Sequence, residues 1–197
     1  TGHGVYTPFF FQDDYSRAAI RMILGRRSPR DACRRGDGIR VFGIGMGRTG
    51  TRSLQAALNM LGWHCLHQPE PGAMISGEFE RALQGYEAAT DSSVAVCFRG
   101  LAEAYPDSKF ILTVRDHDAW IRSCAKKFST PPKDSATLRL RELLYGGSMF
   151  DEETWLRAAK DHVRAVLKYF SLGQRRKRLL IMNITSGADG WHALCKF

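Results

Sequence analysis

The sequence predicts an α/β protein: a doubly wound parallel sheet of the P-loop type, flanked by helices and preceded by a helical extension. Three observations carry that expectation. Short apolar, partly β-branched runs alternate with segments of helical periodicity, the pattern of parallel strands joined by crossovers. One such run, Ile39–Ile44, opens into a glycine-rich turn and then a helix. Another, Lys109-Phe-Ile-Leu-Thr-Val114, is followed at once by Arg115, at the carboxyl edge where open α/β sheets bind ligands.

Taken in order, residues 1–38 form an N-terminal helical extension with a basic linker, and 39–197 form the α/β domain. Thr7-Pro-Phe-Phe-Phe11 leads into a helix from about Asp14 to Leu24, ended by Gly25, with Ala19, Met22 and Ile23 on one face. Arg26 to Gly38 is a basic, turn-rich link. The extension reads either as a peripheral packed helix with a solvated connector or as a flap whose arginines assist an anionic ligand. After the first strand, Leu54, Ala57, Leu58 and Leu61 recur at helical spacing, and Gly62 is a natural stop. Further strands are expected near 63–67, 87–91, 109–114 and 179–184, and helices near 76–84, 97–105, 118–128, 135–145 and 152–171. The last of these helices is the clearest. Glu152 and Glu153 fill its first turn, and Trp155, Ala159, Val163, Val166 and Phe170 form an apolar stripe that predicts core packing.

A chain of 197 residues is long enough for one domain that buries about 70% of its unfolded surface without staples. The formal charge of +9 makes anionic small molecules and polyanions plausible partners without choosing between them. Five widely scattered cysteines, at 33, 65, 97, 124 and 195, lack any Cys-x-x-Cys and predict reduced, packed thiols in a cytoplasmic protein, with no metal site. No apolar run approaches the roughly 20 residues of a membrane span. The sequence opens on Thr1, which leaves a trimmed leader or anchor open. Arg175-Arg-Lys-Arg178 reads as a solvated turn. It lacks the aromatic interleaving of a nucleic-acid binder, so no nucleic-acid partner is expected.

The chemistry concentrates in Ile39-Arg-Val-Phe-Gly-Ile-Gly-Met-Gly-Arg-Thr-Gly-Thr-Arg-Ser53. A strand, a glycine turn and a helix start together present backbone N–H groups backed by a positive dipole end, which binds anionic oxygens. Gly47 and Gly50 shape the turn, Arg48 and Arg52 add charge, and Thr49, Thr51 and Ser53 add hydroxyl donors. The turn ends Gly50-Thr51-Arg52, so the Gly-Lys-Ser/Thr of an ATPase loop is absent. Gly45-Met-Gly47-Arg-Thr-Gly50 also spells the dinucleotide fingerprint, with Glu70 about twenty residues on as a ribose-binding acid. That keeps an NAD(P)-dependent Rossmann oxidoreductase as an alternative. A non-catalytic nucleotide- or phosphate-binding module is a third possibility.

The loop resembles that of the P-loop sulfotransferases, in the branch reading Gly-x-Gly-x-x-Arg-Thr-Gly-Thr-x-Ser-Leu or a close variant. The matching residues are Gly45, Gly47, Arg48, Thr49, Gly50, Thr51, Ser53 and Leu54, and the likeness runs on through His67, Asp91 and Leu101–Asp116 to Trp120 and Ser123. It covers residues 39–128 well and 179–197 thinly, with Gly190-Trp191 and Leu194-Cys195. The resemblance implies a 3′-phosphoadenosine 5′-phosphosulfate (PAPS)-dependent enzyme that moves a sulfuryl group to a hydroxyl or amine of a small-molecule acceptor, without a metal. It implies that Arg115 and Ser123, eight residues apart, hold the donor's 3′-phosphate, as suits a planar charged fork beside a hydroxyl. Arg48 stands where the wider superfamily has a lysine on the transferred group. Either His67 or Asp91 is the general base. Two features depart from the family pattern. Ser53 stands where a tryptophan often stacks on adenine, leaving Trp191 as either a replacement or a packed residue, and Ser186-Gly-Ala-Asp-Gly190 replaces the familiar Arg-Lys-Gly phosphate loop. Residues 68–86 and 129–150, carrying Met74, Phe79, Tyr86, Leu143, Leu144, Tyr145, Met149 and Phe150, are expected to shape the acceptor pocket.

Overall fold

The computed structural model describes residues 40–187 and 190–197. The expected helix at 14–24 and the basic link lie outside the described residues. Five strands form one parallel sheet: β1 (Val41–Gly43), β2 (Cys65–His67), β3 (Ala88–Thr90), β4 (Lys109–Thr113) and β5 (Leu179–Met182). Their order is β2-β3-β1-β4-β5, so β1 lies between β3 and β4, with Phe42 opposite Ala89 on one side and Phe110 on the other. A Rossmann sheet would place β1 beside β2. That pairing is absent, and the order argues against the dinucleotide reading of the glycines.

The strands alternate their side chains between two cores, as the period of two requires. Phe42, Ile44, Phe110 and Leu112 face one side, where they pack with Leu101 of α5 (Phe98–Ala104) and with Val166 and Phe170 of α8 (Glu152–Phe170). Val41, Ile111 and Met182 face the other, under Leu54, Ala57 and Leu58 of α1 (Thr51–Met60) and Leu194 of α9 (Trp191–Lys196). Trp155, Val166 and Phe170 of the α8 stripe are core, as its spacing predicts, while Ala159 and Val163 are half-buried. Trp191 is partly buried and packs against the α1-side core. A third cluster sits at the carboxyl ends of the strands and joins Met46 of the glycine loop to Trp120, Cys124, Tyr145 and Trp155.

Aspartates start three helices by accepting a backbone N–H three residues on, the usual capping geometry. Asp116 caps α6 (His117–Lys127), Asp134 caps α7 (Ser135–Tyr145) and Asp151 caps α8.

The structure departs from expectation at several places. The helix expected at 76–84 is two short ones, α2 (Pro71–Ile75) and α3 (Phe79–Ala82), because Gly77 turns the chain with φ +80°. Both carboxylate oxygens of Glu70 cap α2, at 2.6 Å from Gly72 N and Ala73 N, so this acid is spent locally and holds no ribose. An unexpected helix, α4 (Ser92–Val96), follows β3. Strand β5 ends at Met182, and a 3₁₀ turn, Ile184–Ser186, takes up the rest of the apolar run. The basic run is only partly a solvated turn. Arg178 lies over the Phe110 ring and donates to the carbonyls of Ser108, Tyr105 and Ala102, closing the loop before β4. Met74, Leu144 and Tyr145, expected along an acceptor pocket, are buried core residues.

Of the cysteines, 65, 97, 124 and 195 are free thiols. Burial pushes Cys65 and Cys124 up to about 12 and Cys97 up to about 11, so these stay protonated and unreactive. Among the described residues no helix is long and apolar enough to cross a membrane.

Candidate functional site

The site grows from the turn between β1 and α1. Gly45 lies so close to β4 that a Cβ there would sit 1.9 Å from Thr113 Oγ1, which only glycine permits. Met46 then plunges into the third cluster and anchors the turn from below. The backbone of Gly47 is engaged on both sides. Its carbonyl accepts from the Trp120 indole N–H at 2.9 Å, and its N–H lies 3.1 Å from both Ser92 Oγ and Tyr145 Oη, which also bond each other at 2.8 Å. Arg48 is left-handed at φ 74°, and Gly50, at φ 101°, turns the chain into α1.

No side chain caps the N-terminus of α1. Helix geometry leaves the first N–H groups of α1, at Thr51, Arg52 and Ser53, without intrahelical acceptors, and the dipole adds positive potential there. Arg48 and Arg52 are exposed beside this end.

Two polar groupings flank the turn. On the β4 side, the exposed Arg48 guanidinium donates from Nε to Ser123 Oγ at 2.9 Å, and Arg115 donates from Nη1 to the Arg48 carbonyl at 3.0 Å. The ordinary alternative, an ion pair of Arg115 with Asp116 or Asp118, is absent among the described residues. Strand β4 delivers Arg115 at its carboxyl end, and Ser123 follows two turns into α6. Arg48, Arg115 and Ser123 thus form one cluster.

On the β2 and β3 side, parallel pairing sets His67 opposite Thr90 and so brings Asp91 alongside. His67 Nε2 lies 3.9 Å from Asp91 Oδ2 and 3.2 Å from Thr51 Oγ1, while Thr51 Oγ1 lies 3.4 Å from Asp91 Oδ1. The expected rivals are therefore in contact. Burial lowers the pKa of His67, Asp91 opposes that shift, and Arg52 reinforces it, so the imidazole stays neutral at pH 7. Asp91 holds φ 103° and ψ −175°, a region open mainly to glycine, and Gln68, next to His67, is left-handed at φ 63°. The non-glycine residues with positive φ among those described are Arg48, Gln68 and Asp91, all at or beside this site; strain gathered in one place is characteristic of functional sites.

The remaining expected site residues divide by burial. Thr49 is buried, donating to the Met46 carbonyl and bonding Thr113, both at 2.7 Å, so its hydroxyl serves the turn. Thr51 is buried but aimed at His67 and Asp91, and Ser53 is half-buried in the first turn of α1. Sequence reasoning missed the braces. These are Thr113 on Thr49, Ser92 and Tyr145 on the Gly47 N–H, and buried His162, whose Nε2 lies 2.8 Å from the Ile44 carbonyl. Tyr145 is 98 residues from Gly47, and no local pattern joins them. His64 and His192 lie at the surface.

A search of curated proteins found no match for the chain. Among protein families, the sulfotransferase domain matches residues 40–76 and 68–144, together more than half of the sequence and spanning β1, the glycine turn, His67, Asp91, Arg115 and Ser123. The chain belongs to the sulfotransferase domain family.

Proposed function

We propose that the protein moves a sulfuryl group from PAPS to a hydroxyl or amine of a small-molecule acceptor. The observation that carries this reading is the gathering of Arg48, Arg115 and Ser123 beside the uncapped start of α1. Two guanidinium groups, a hydroxyl and a row of N–H groups suit a ligand with two separate anionic ends. The donor supplies the activated sulfuryl group and departs as adenosine 3′,5′-bisphosphate.

The chain's own residues have distinct tasks. The N–H groups of Arg48 and of Gly50 to Ser53, with the Arg52 side chain, hold the 5′ anion, while the Thr49 N–H is spent on the Met46 carbonyl. Arg115 and Ser123 hold the 3′-phosphate. Arg48 stabilises charge on the bridging oxygen as it leaves, the demand that sulfuryl transfer shares with phosphoryl transfer. Its Nε must exchange Ser123 for the ligand, and an exposed side chain can do so cheaply. His67 and Asp91 act together as the base, the acceptor proton passing to this pair. A neutral imidazole at pH 7 is the state this requires.

The test is a thermal-shift comparison of adenosine 3′,5′-bisphosphate with NAD and ATP. Selective stabilisation by the bisphosphate is expected, whereas selective stabilisation by NAD would overturn the proposal.

A further inference from the structure

A cavity of about 260 Å³ lies behind the glycine turn, on the sheet face covered by α8. Met46, Leu112, Val114, Trp120, Ala159 and Val163 give it apolar walls. Arg115, His117 and Lys160 also line it, and among the described residues no carboxylate pairs with Arg115 or Lys160. His67 and Asp91 follow strands β2 and β3, on the other side of β1 from this space.

Its lining also supports the turn. Trp120 holds the Gly47 carbonyl, Arg115 holds the Arg48 carbonyl, His162 faces the Ile44 carbonyl, and Thr113 bonds Thr49. A molecule in the cavity would therefore touch the braces of the turn, Arg115 among them, from the side of β1 away from His67 and Asp91.

We propose that this cavity binds a small apolar acid, one ring or a short chain bearing a single carboxylate, and that its occupant stiffens the glycine turn from behind. Volume sets the size. An apolar cavity of about 150 Å³ already admits benzene, and drug-sized pockets begin near about 300 Å³, so one substituted ring fills the space. Charge sets the head group. The apolar walls favour the ring, while Lys160 and the N–H groups of Arg115 not engaged by Arg48 offer charge-assisted bonds to a carboxylate. The inference concerns the unliganded protein, because Arg115 is also the residue proposed for the 3′-phosphate and a bound donor would compete for it.

The experiment is calorimetric titration of the full chain with benzoate and with its neutral counterpart benzyl alcohol, alongside amide hydrogen exchange. Saturable benzoate binding is expected, with benzyl alcohol much weaker and amide exchange slowed at residues 46–52. Ala159→Trp should abolish binding by filling the cavity. Lys160→Glu, at an exposed helix position where folding is not at stake, should weaken benzoate about tenfold or more and leave benzyl alcohol unchanged. Absence of saturable benzoate binding overturns the proposal, as does wild-type affinity in Lys160→Glu. Equal binding of benzyl alcohol overturns the acid, and unchanged exchange at 46–52 with benzoate bound overturns the stiffening.

Discussion

The two flanks of β1 are built on opposite plans. On the β4 side, Arg48 is exposed, Arg115 is half-exposed, and long flexible side chains meet through bonds that a ligand can replace. On the β2 and β3 side, Thr51, His67 and Asp91 are short or rigid, largely enclosed, and in mutual contact. The lesson is one of division. Under the proposed function, the charge that follows a ligand sits on flexible stems, and the residues offered as the base sit in an enclosed corner whose geometry is fixed.

The largest effect should come from the enclosed flank. His67→Asn or Asp91→Asn should each lower turnover about 10²- to 10⁴-fold. Because the two side chains touch, the double variant should be little worse than the worse single one. Additive losses, or full activity in either single variant, would break the pairing. Arg48→Ala should lower turnover about 10²- to 10³-fold while nucleotide affinity changes far less. A parallel fall in both would make Arg48 an anchor only, and unmeasurable turnover in the wild-type protein would favour a non-catalytic nucleotide-binding module. Arg115→Ala should weaken adenosine 3′,5′-bisphosphate about 10- to 100-fold, the worth of one charge-assisted bond, and leave adenosine 5′-phosphate affinity unchanged. Equal losses for both ligands would place Arg115 on the other anion.

Stability offers smaller contrasts. Tyr145→Phe leaves Ser92 on the Gly47 N–H, so the cost should be about 1 kcal/mol, or roughly 2–4 °C in melting temperature for a chain of this size. His162 is buried beside the Ile44 carbonyl, and burial holds its pKa below the ordinary 6.5. Between those two values the unfolded chain binds a proton that the folded one does not, so stability falls as pH drops below 6.5 toward the folded value. His162→Gln should flatten that slope when melting temperature is followed from pH 7 to pH 5. An unchanged slope would assign the acid sensitivity to His67.

Much of this was legible in the residues because local rules govern it. The glycine turn announces itself by spacing, Arg115 follows from its place at a strand end, and its pairing with Ser123 came from the family resemblance. The stripe on α8 is read from periodicity alone. Contacts that depend on tertiary placement were not legible. Nothing in the strand patterns fixes β3 between β2 and β1, so His67 and Asp91 read as competitors until the parallel register set one beside the other. Tyr145 and Leu144 read as pocket residues because an apolar helix end looks the same whether it lines a hollow or fills one. Arg178 looked solvated in a run of four basic residues. Its aliphatic stem and planar head fit the Phe110 ring and three nearby carbonyls, which composition does not reveal.

Gly47 carries a wider implication. With an indole on its oxygen and two hydroxyls on its nitrogen, the peptides either side of it are clamped like an axle between bearings. Its amide has no hydrogen left to offer an incoming anion, so under the proposed function ligand capture begins one residue later, at Arg48. Any change in which oxyanion the protein accepts would therefore have to arise downstream of the clamp, by exchanging side chains and not by reshaping the bend itself.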